Sequence, residues 1–252
     1  MVMPTIEIVS HCYAAKLKHY ASFLCYQWSS LLLHKPLLCD VLATVVTSNN
    51  DKLVDEVIRW FMSNTPLRCK QVILPEDRIG RRSIGRNHVA LNTESDIVWF
   101  ADVDYCFGLD CLDTLASRSW PTDAVMVFPK DVQIHKNWDT GDVYAKMVDG
   151  GPKLVNIGPG DFTGARYSRA IGGVQIVKGD FAREHGYLKN NEKYQRPSSR
   201  LFHTTEDSEY RRESLKHGRI VGINLPNVYR MRHTTNAYQG GSRAGLVEGG
   251  GA

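Results

Sequence analysis

Apolar residues recur along this chain with two different periods. Residues 6–9 form a short apolar run of strand type. Over 14–33 the apolar positions fall at Leu17, Tyr20, Leu24, Trp28 and Leu31, three or four apart. That is the period of a helix with one buried face. Pro36 closes the helical region. Residues 40–47 are rich in β-branched side chains and predict a buried strand. Asp51 then precedes Leu53, Val54, Val57, Ile58 and Phe61, a second amphipathic helix, and 71–74 predict a third strand. Ser83 is placed to cap a helix running to Leu91. Residues 96–101, with Ile97, Val98, Trp99 and Phe100, predict an apolar strand ending in acids. A short helix is expected over 109–117 and a fifth strand over 124–128. This rhythm predicts an α/β fold with a largely parallel central sheet and helices on both faces.

The second half is less regular. Residues 142–169 carry Gly150, Gly151, Gly158, Gly160 and Gly164. They predict a long irregular excursion of the kind found over binding sites. Strand is expected over 171–177, helix over 180–185, helix over 206–217 and strand over 220–223. There is no internal repeat. The reading is one domain over 1–238, followed by a flexible glycine-rich tail over 239–252.

The composition narrows the partners. At 252 residues, 42% hydrophobic and 23% charged, the chain can bury one large core. Its net charge of +4 suits a small polyanionic ligand. No arginine-rich arm or aromatic ladder accompanies that charge, so nucleic acid is not an expected partner. No apolar run is long enough for a transmembrane segment. The N-terminus enters a strand without the features of a signal peptide. Cys12, Cys25, Cys39, Cys69, Cys106 and Cys111 form no Cys-x-x-Cys pair. They read as buried thiols in a reducing compartment, and a cytoplasmic location is expected.

The strongest local chemistry is Trp99-Phe100-Ala101-Asp102-Val103-Asp104. Side chains at i and i+2 of a strand share a face, so Asp102 and Asp104 point the same way. They do so at the carboxyl end of an apolar strand, where open α/β sheets bind ligands. Two neighbouring carboxylates repel unless a cation lies between them. Mn²⁺ or Mg²⁺ would meet that need and could also bridge a diphosphate. A solvated acidic turn is the plain alternative.

Asp102-Val103-Asp104 resembles the Asp-x-Asp motif of glycosyltransferases with the GT-A fold. Gly85-Arg86-Asn87-His88-Val89-Ala90-Leu91 resembles the helix preceding that strand in glycosyltransferase family 2. Ile171-Gly172-Gly173-Val174-Gln175-Ile176-Val177, followed by Gly186-Tyr187-Leu188, resembles that family's acceptor-side segment. Thr205-Glu206-Asp207 resembles its Glu-Asp motif, with Arg211 and Arg212 on the helix behind. The pieces stand in the family's order over roughly residues 5–235. Two departures bear on the nucleotide. Val9-Ser10-His11-Cys12-Tyr13 replaces the family's proline and asparagine, and Thr47-Ser48-Asn49-Asn50-Asp51 replaces its paired aspartates.

The resemblance implies an inverting, metal-dependent hexosyltransferase moving a sugar from a UDP-sugar donor to the hydroxyl of a carbohydrate or other acceptor. Asp104 would hold the cation, with Asp102 holding the ribose or completing the metal shell. His233 would be a further metal ligand. Asp207 would be the base that takes the acceptor's proton, although acids at a helix start are also favoured without catalysis. Arg86 would contact the diphosphate or donor sugar, or else be a surface helix arginine. Ser10, His11 and Tyr13 would line the base pocket, with Asn49 or Asp51 reading the base edge. Asp51 is equally well placed as a helix cap. Gly173, with Gly172, would let backbone approach the donor sugar, or would simply bend a strand. Trp138, Tyr144, Phe162 and Tyr167 would stack on an acceptor sugar or anchor their loop. A nucleotidyltransferase and a non-catalytic nucleotide-sugar-binding module are the competing readings.

Overall fold

The computed structural model describes residues 3–15, 17–136, 144, 150–197 and 205–231, together with the backbone of 246–247. In chain order, the first half runs β1 (Thr5–His11), α1 (His19–Leu33), β2 (Asp40–Ser48), α2 (Lys52–Asn64), β3 (Cys69–Leu74), α3 (Glu76–Ile79), α4 (Arg82–Asn92), β4 (Ile97–Phe100), β5 (Tyr105–Phe107) and α5 (Cys111–Ser117). The second half runs β6 (Ala124–Pro129), β7 (Asp131–His135), β8 (Phe162–Tyr167), β9 (Gln175–Lys178), α6 (Gly179–His185), α7 (Glu192–Gln195), α8 (Glu206–Ser214), β10 (Arg219–Ile223), β11 (Val228–Arg230) and β12 (Leu246–Val247).

A seven-stranded sheet has the order β10-β6-β9-β4-β1-β2-β3. The β1–β2, β2–β3, β1–β4 and β6–β10 pairs are parallel, and β9 runs antiparallel between β4 and β6. A mostly parallel sheet flanked by helices is therefore present, as the periodicity predicts. Right-handed crossovers explain its layers. The chain steps outward from β1 to β2 to β3, which puts α1 and α2 side by side, with Trp28 against Phe61 at 5.4 Å. It then returns to place β4 on the other side of β1. That reversal opens a crevice at the carboxyl ends of β1 and β4, the position where such sheets take ligands. One buried apolar cluster runs from Ile6 to Met231.

The structure also departs from the predicted elements. Helix α1 starts at His19 rather than near residue 14, because the Asp51 carboxylate accepts from Ala15 N at 2.9 Å and pins the preceding loop. Ser83 lies inside α4 instead of capping it. Its backbone N–H donates to Glu206 Oε2 at 2.9 Å, so the acid at the helix start comes from a distant segment. The stretch over 142–169 contains strand β8, which pairs with β7 from Asp131↔Arg166 to His135↔Phe162. A second sheet of order β12-β8-β7-β11-β5 supplies the partners for these short strands. Their patterns are legible only once that sheet exists. Residues 172–174 form a 3-10 turn, and strand begins at Gln175.

Within the expected tail, Leu246–Val247 pairs antiparallel with β8. The rest of 239–252 lies outside the described residues. All six cysteines are free, and all but Cys69 are buried. No helix among the described residues is long and apolar enough to cross a membrane.

Candidate active site

Three carboxylates and three guanidiniums meet beyond the end of β4. Helix α4 contributes Arg82 and Arg86, one turn apart on the same face. Arg82 Nη1 donates to Asp102 Oδ1 at 2.6 Å, and its Nη2 lies 3.4 Å from Asp207 Oδ2. Arg86 repeats the bridge, with Nη2 3.0 Å from Asp102 Oδ1 and Nη1 3.2 Å from Asp207 Oδ1. Arg86 is fully buried. Its Nη1 also donates to Tyr187 Oη at 3.0 Å, and its guanidinium lies 5.3 Å from the Tyr187 ring centroid. The surface-arginine alternative for Arg86 is thereby removed. Arg82 and Arg230 are the members of the cluster that the motifs pass over. The Arg82/Arg86 spacing of four on a helix was the available signal for the first.

Asp104 faces the other way, towards β11. Arg230 Nε donates to its Oδ2 at 3.1 Å, and Arg230 lies over the Tyr105 ring. Asp104 is buried, and its Oδ1 has no hydrogen-bond partner. Burial pushes its carboxyl above the usual carboxylate range. Arg230 opposes that rise, and the charge of Asp102 adds to it. Asp102 goes the opposite way. Burial works against its ionisation, but Arg82, Arg86 and Arg230 outweigh burial and hold its pKa down at about 2. One carboxylate is therefore kept firmly ionised beside another that gains from any added positive charge. Among the described residues no three His, Cys, Asp or Glu side chains form a metal cage. Asp104 Oδ1 is the orphaned buried acceptor that a hard cation would satisfy.

The backbone around Asp102 is held by a buried amide. Gln27 Nε2 donates to Asp102 O at 3.0 Å, while Gln27 Oε1 accepts from Ser10 Oγ at 2.8 Å. Ser10 is thus committed to α1. His11 is buried at the end of β1, with neither ring nitrogen hydrogen-bonded. Burial, then the charges of Arg86 and Arg82, hold it far below its ordinary pKa, so it is neutral. The Tyr13 ring lies 6.2 Å from it. Asn49 is exposed in the turn after β2. Asp51 is buried, and its two oxygens accept from Ala15 N and from Val54 N at the start of α2. It caps the helix and ties the loop, which accounts for its position without a nucleotide.

Asp207 sits in the first turn of α8. Besides the two arginines, Tyr187 Oη lies 3.3 Å from its Oδ1, and Gln175 Nε2 donates to its carbonyl at 3.0 Å. The double glycine explains how it fits. A Cβ on Gly172 would stand 2.2 Å from Asp207 Oδ2, and one on Gly173 would stand 2.3 Å from the Tyr105 ring. The space above these glycines is filled by the site's own side chains. Neighbouring Glu206 is buried, and burial raises its pKa against the pull of Arg82 and the Ser83 N–H.

Tyr144, Phe162 and Tyr167 are buried. Tyr144 Oη donates to Asp161 Oδ2 at 2.7 Å, and Tyr167 Oη lies 3.1 Å from Tyr105 Oη. Trp138 and His233 lie outside the described residues. A cavity of about 600 Å³ lies beside α8, lined in part by Phe181, His185, Tyr210 and His217. Tyr210 in its lining stacks on Tyr187 at 3.9 Å.

The fold has solved counterparts. The galactosyltransferase LgtC, in complex with donor and acceptor sugar analogs, superposes with a TM-score of 0.52 at 15% identity, over 86% of this chain and 73% of that one. The chain has the GT-A fold. S. aureus TarS 1-349 in complex with UDP-GlcNAc matches at a TM-score of 0.54 and 14% identity, over 92% of this chain and 59% of that one. The same protein in complex with UDP gives 0.54 and 14%, over 90% and 60%. No family model matches the sequence, and no curated protein does.

Proposed function

We propose that this protein is a glycosyltransferase of the family 2 type, using a UDP-sugar donor and a divalent cation. The observation that carries the reading is the convergence beyond β4 of Asp102 and Asp207, bridged by Arg82 and Arg86, with Asp104 held beside them by Arg230, in a GT-A fold. Structural neighbours that bind UDP, UDP-GlcNAc and sugar analogs support it.

Asp104 would hold the cation, Mn²⁺ or Mg²⁺, through the free Oδ1, with Asp102 and the donor diphosphate completing the shell and His233 as a further ligand. When bound, the cation neutralises charge on the leaving diphosphate. Arg82 and Arg86 would place two positive charges beside the same group, where a guanidinium matches phosphate geometry. His11 and Tyr13 wall the nucleoside side of the crevice. Asp207 would accept the proton of an acceptor hydroxyl. The acceptor oxygen then bonds to the anomeric carbon as UDP departs with the electron pair. One base and one leaving group on opposite faces make this a single displacement with inversion.

Two measurements test the reading. Calorimetry with UDP and a nucleotide-sugar panel, with and without Mn²⁺, should show metal-dependent binding that Asp104→Ala abolishes. Asp207→Asn should keep donor binding and lower turnover about a hundredfold or more. Failure of every nucleotide to bind, or a product retaining the donor's anomeric configuration, would remove the corresponding part of the proposal.

A further inference from the structure

Arg82 and Arg86 make the same pair of contacts but are held differently. Arg86 is fully buried, bonded to Tyr187 and packed 5.9 Å from the Phe100 ring centroid. Arg82 is the first residue of α4, and its side chain is 13% exposed where that of Arg86 is 0% exposed. Its two bonds are also unequal. The 2.6 Å contact with Asp102 is a short charge-assisted bond, whereas the 3.4 Å contact with Asp207 is near the limit for a hydrogen bond. Arg82 therefore has the freedom to change partners, and Asp207 is the partner it loses first. Arg86 and Tyr187 keep Asp207 Oδ1 in place when that happens.

We infer that Arg82 is a donor-responsive latch on Asp207. Without a donor, its guanidinium is shared between Asp102 and Asp207 Oδ2. A diphosphate, carrying more charge than a carboxylate and matching the guanidinium fork, draws it off Asp207. Asp207 Oδ2 then becomes free to accept an acceptor proton. The base is masked until the donor has arrived, which orders the two substrates. This rests on the proposed function and makes Arg82 a positioning residue for it.

The test uses full-length protein labelled with ¹³C at the aspartate carboxyl carbons, with the Asp207 resonance identified by its loss in Asp207→Asn. UDP and inorganic pyrophosphate, each with Mg²⁺, are the probes. In wild type both should shift the Asp207 resonance. In Arg82→Gln the resonance should start near the wild-type bound position and stay there, and UDP affinity should fall about tenfold, the scale of one lost charge-assisted bond. Arg82→Lys keeps the charge without the fork. It should recover part of the UDP affinity but not the Asp207 response, and it supplies the same comparison if Arg82→Gln does not fold. A merely structural arginine would leave the response to the probes intact. If UDP binds wild type and the Asp207 resonance does not move, the latch is wrong and the donor reading stands. If neither UDP nor pyrophosphate binds, both are wrong.

Discussion

Replacing Arg86 with methionine tests whether the cluster is held together by its buried charge. Methionine keeps the length and apolar contacts of the stem but removes donors to Asp102, Asp207 and Tyr187. Breaking a buried ion pair by removing one partner costs about 3–5 kcal/mol. Here the two carboxylates retain 26% and 17% side-chain exposure and keep Arg82, which places the expected loss near the lower end, about 3 kcal/mol. Part of that loss depends on pH. The Asp102 pKa is held at about 2 against a usual 3.8, a shift equivalent to about 2 kcal/mol. Burial works against that shift, and Arg82 and then Arg86 outweigh it, so removing Arg86 lets the pKa rise towards its ordinary value. The sign follows from a folded pKa below the unfolded one. The contribution is complete above about pH 4 and is lost as pH falls towards 2. Urea unfolding of wild type and variant at pH 7, 4 and 2.5 measures the gap. It should be about 3 kcal/mol at pH 7 and should narrow in the acid window as Asp102 protonates. A gap below about 1 kcal/mol at pH 7, or one that widens in acid, would refute the reasoning.

Gly172→Ala should displace the Asp207 carboxylate, since the new methyl would stand 2.2 Å from its Oδ2. Transfer activity should fall as far as in Asp207→Asn, and the double variant Gly172→Ala/Asp207→Ala should recover thermal stability relative to Gly172→Ala alone. Gln27→Leu leaves Ser10 Oγ and Asp102 O without their buried partner. It should cost about 1–3 kcal/mol in urea unfolding and weaken UDP binding by calorimetry. Asp51→Ala removes the α2 cap and the tie to Ala15. It should lower stability by about 1–2 kcal/mol with UDP affinity unchanged, because its carboxylate is spent on backbone.

Much of the framework was legible without coordinates because burial leaves a local trace. The strand runs at residues 6–9, 40–47 and 96–101 and the helical spacing before Pro36 report which face of each element meets the core. The two-residue repeat of a strand predicts a shared face for Asp102 and Asp104, but β4 ends at Phe100 and both lie in the turn that follows, Asp102 on Arg82 and Arg86 and Asp104 on Arg230. The resemblance to the family's motifs singled out Asp207 and the Gly172–Gly173 pair, and the fold brings Gly172 against Asp207. What the sequence could not supply is partnership. Asp51 satisfies both the cap and the loop, Glu206 serves a helix more than a hundred residues earlier, and Ser10 is taken by Gln27. Arg82 reads as one basic residue among several until Asp102 and Asp207, 20 and 125 residues away, close on it. The short strands β5, β7, β8 and β11 are stable only as members of one sheet. Periodicity is set by each segment's own exposure to the core, whereas the partner of a buried charge is set by where distant segments converge, and only the folded chain determines that.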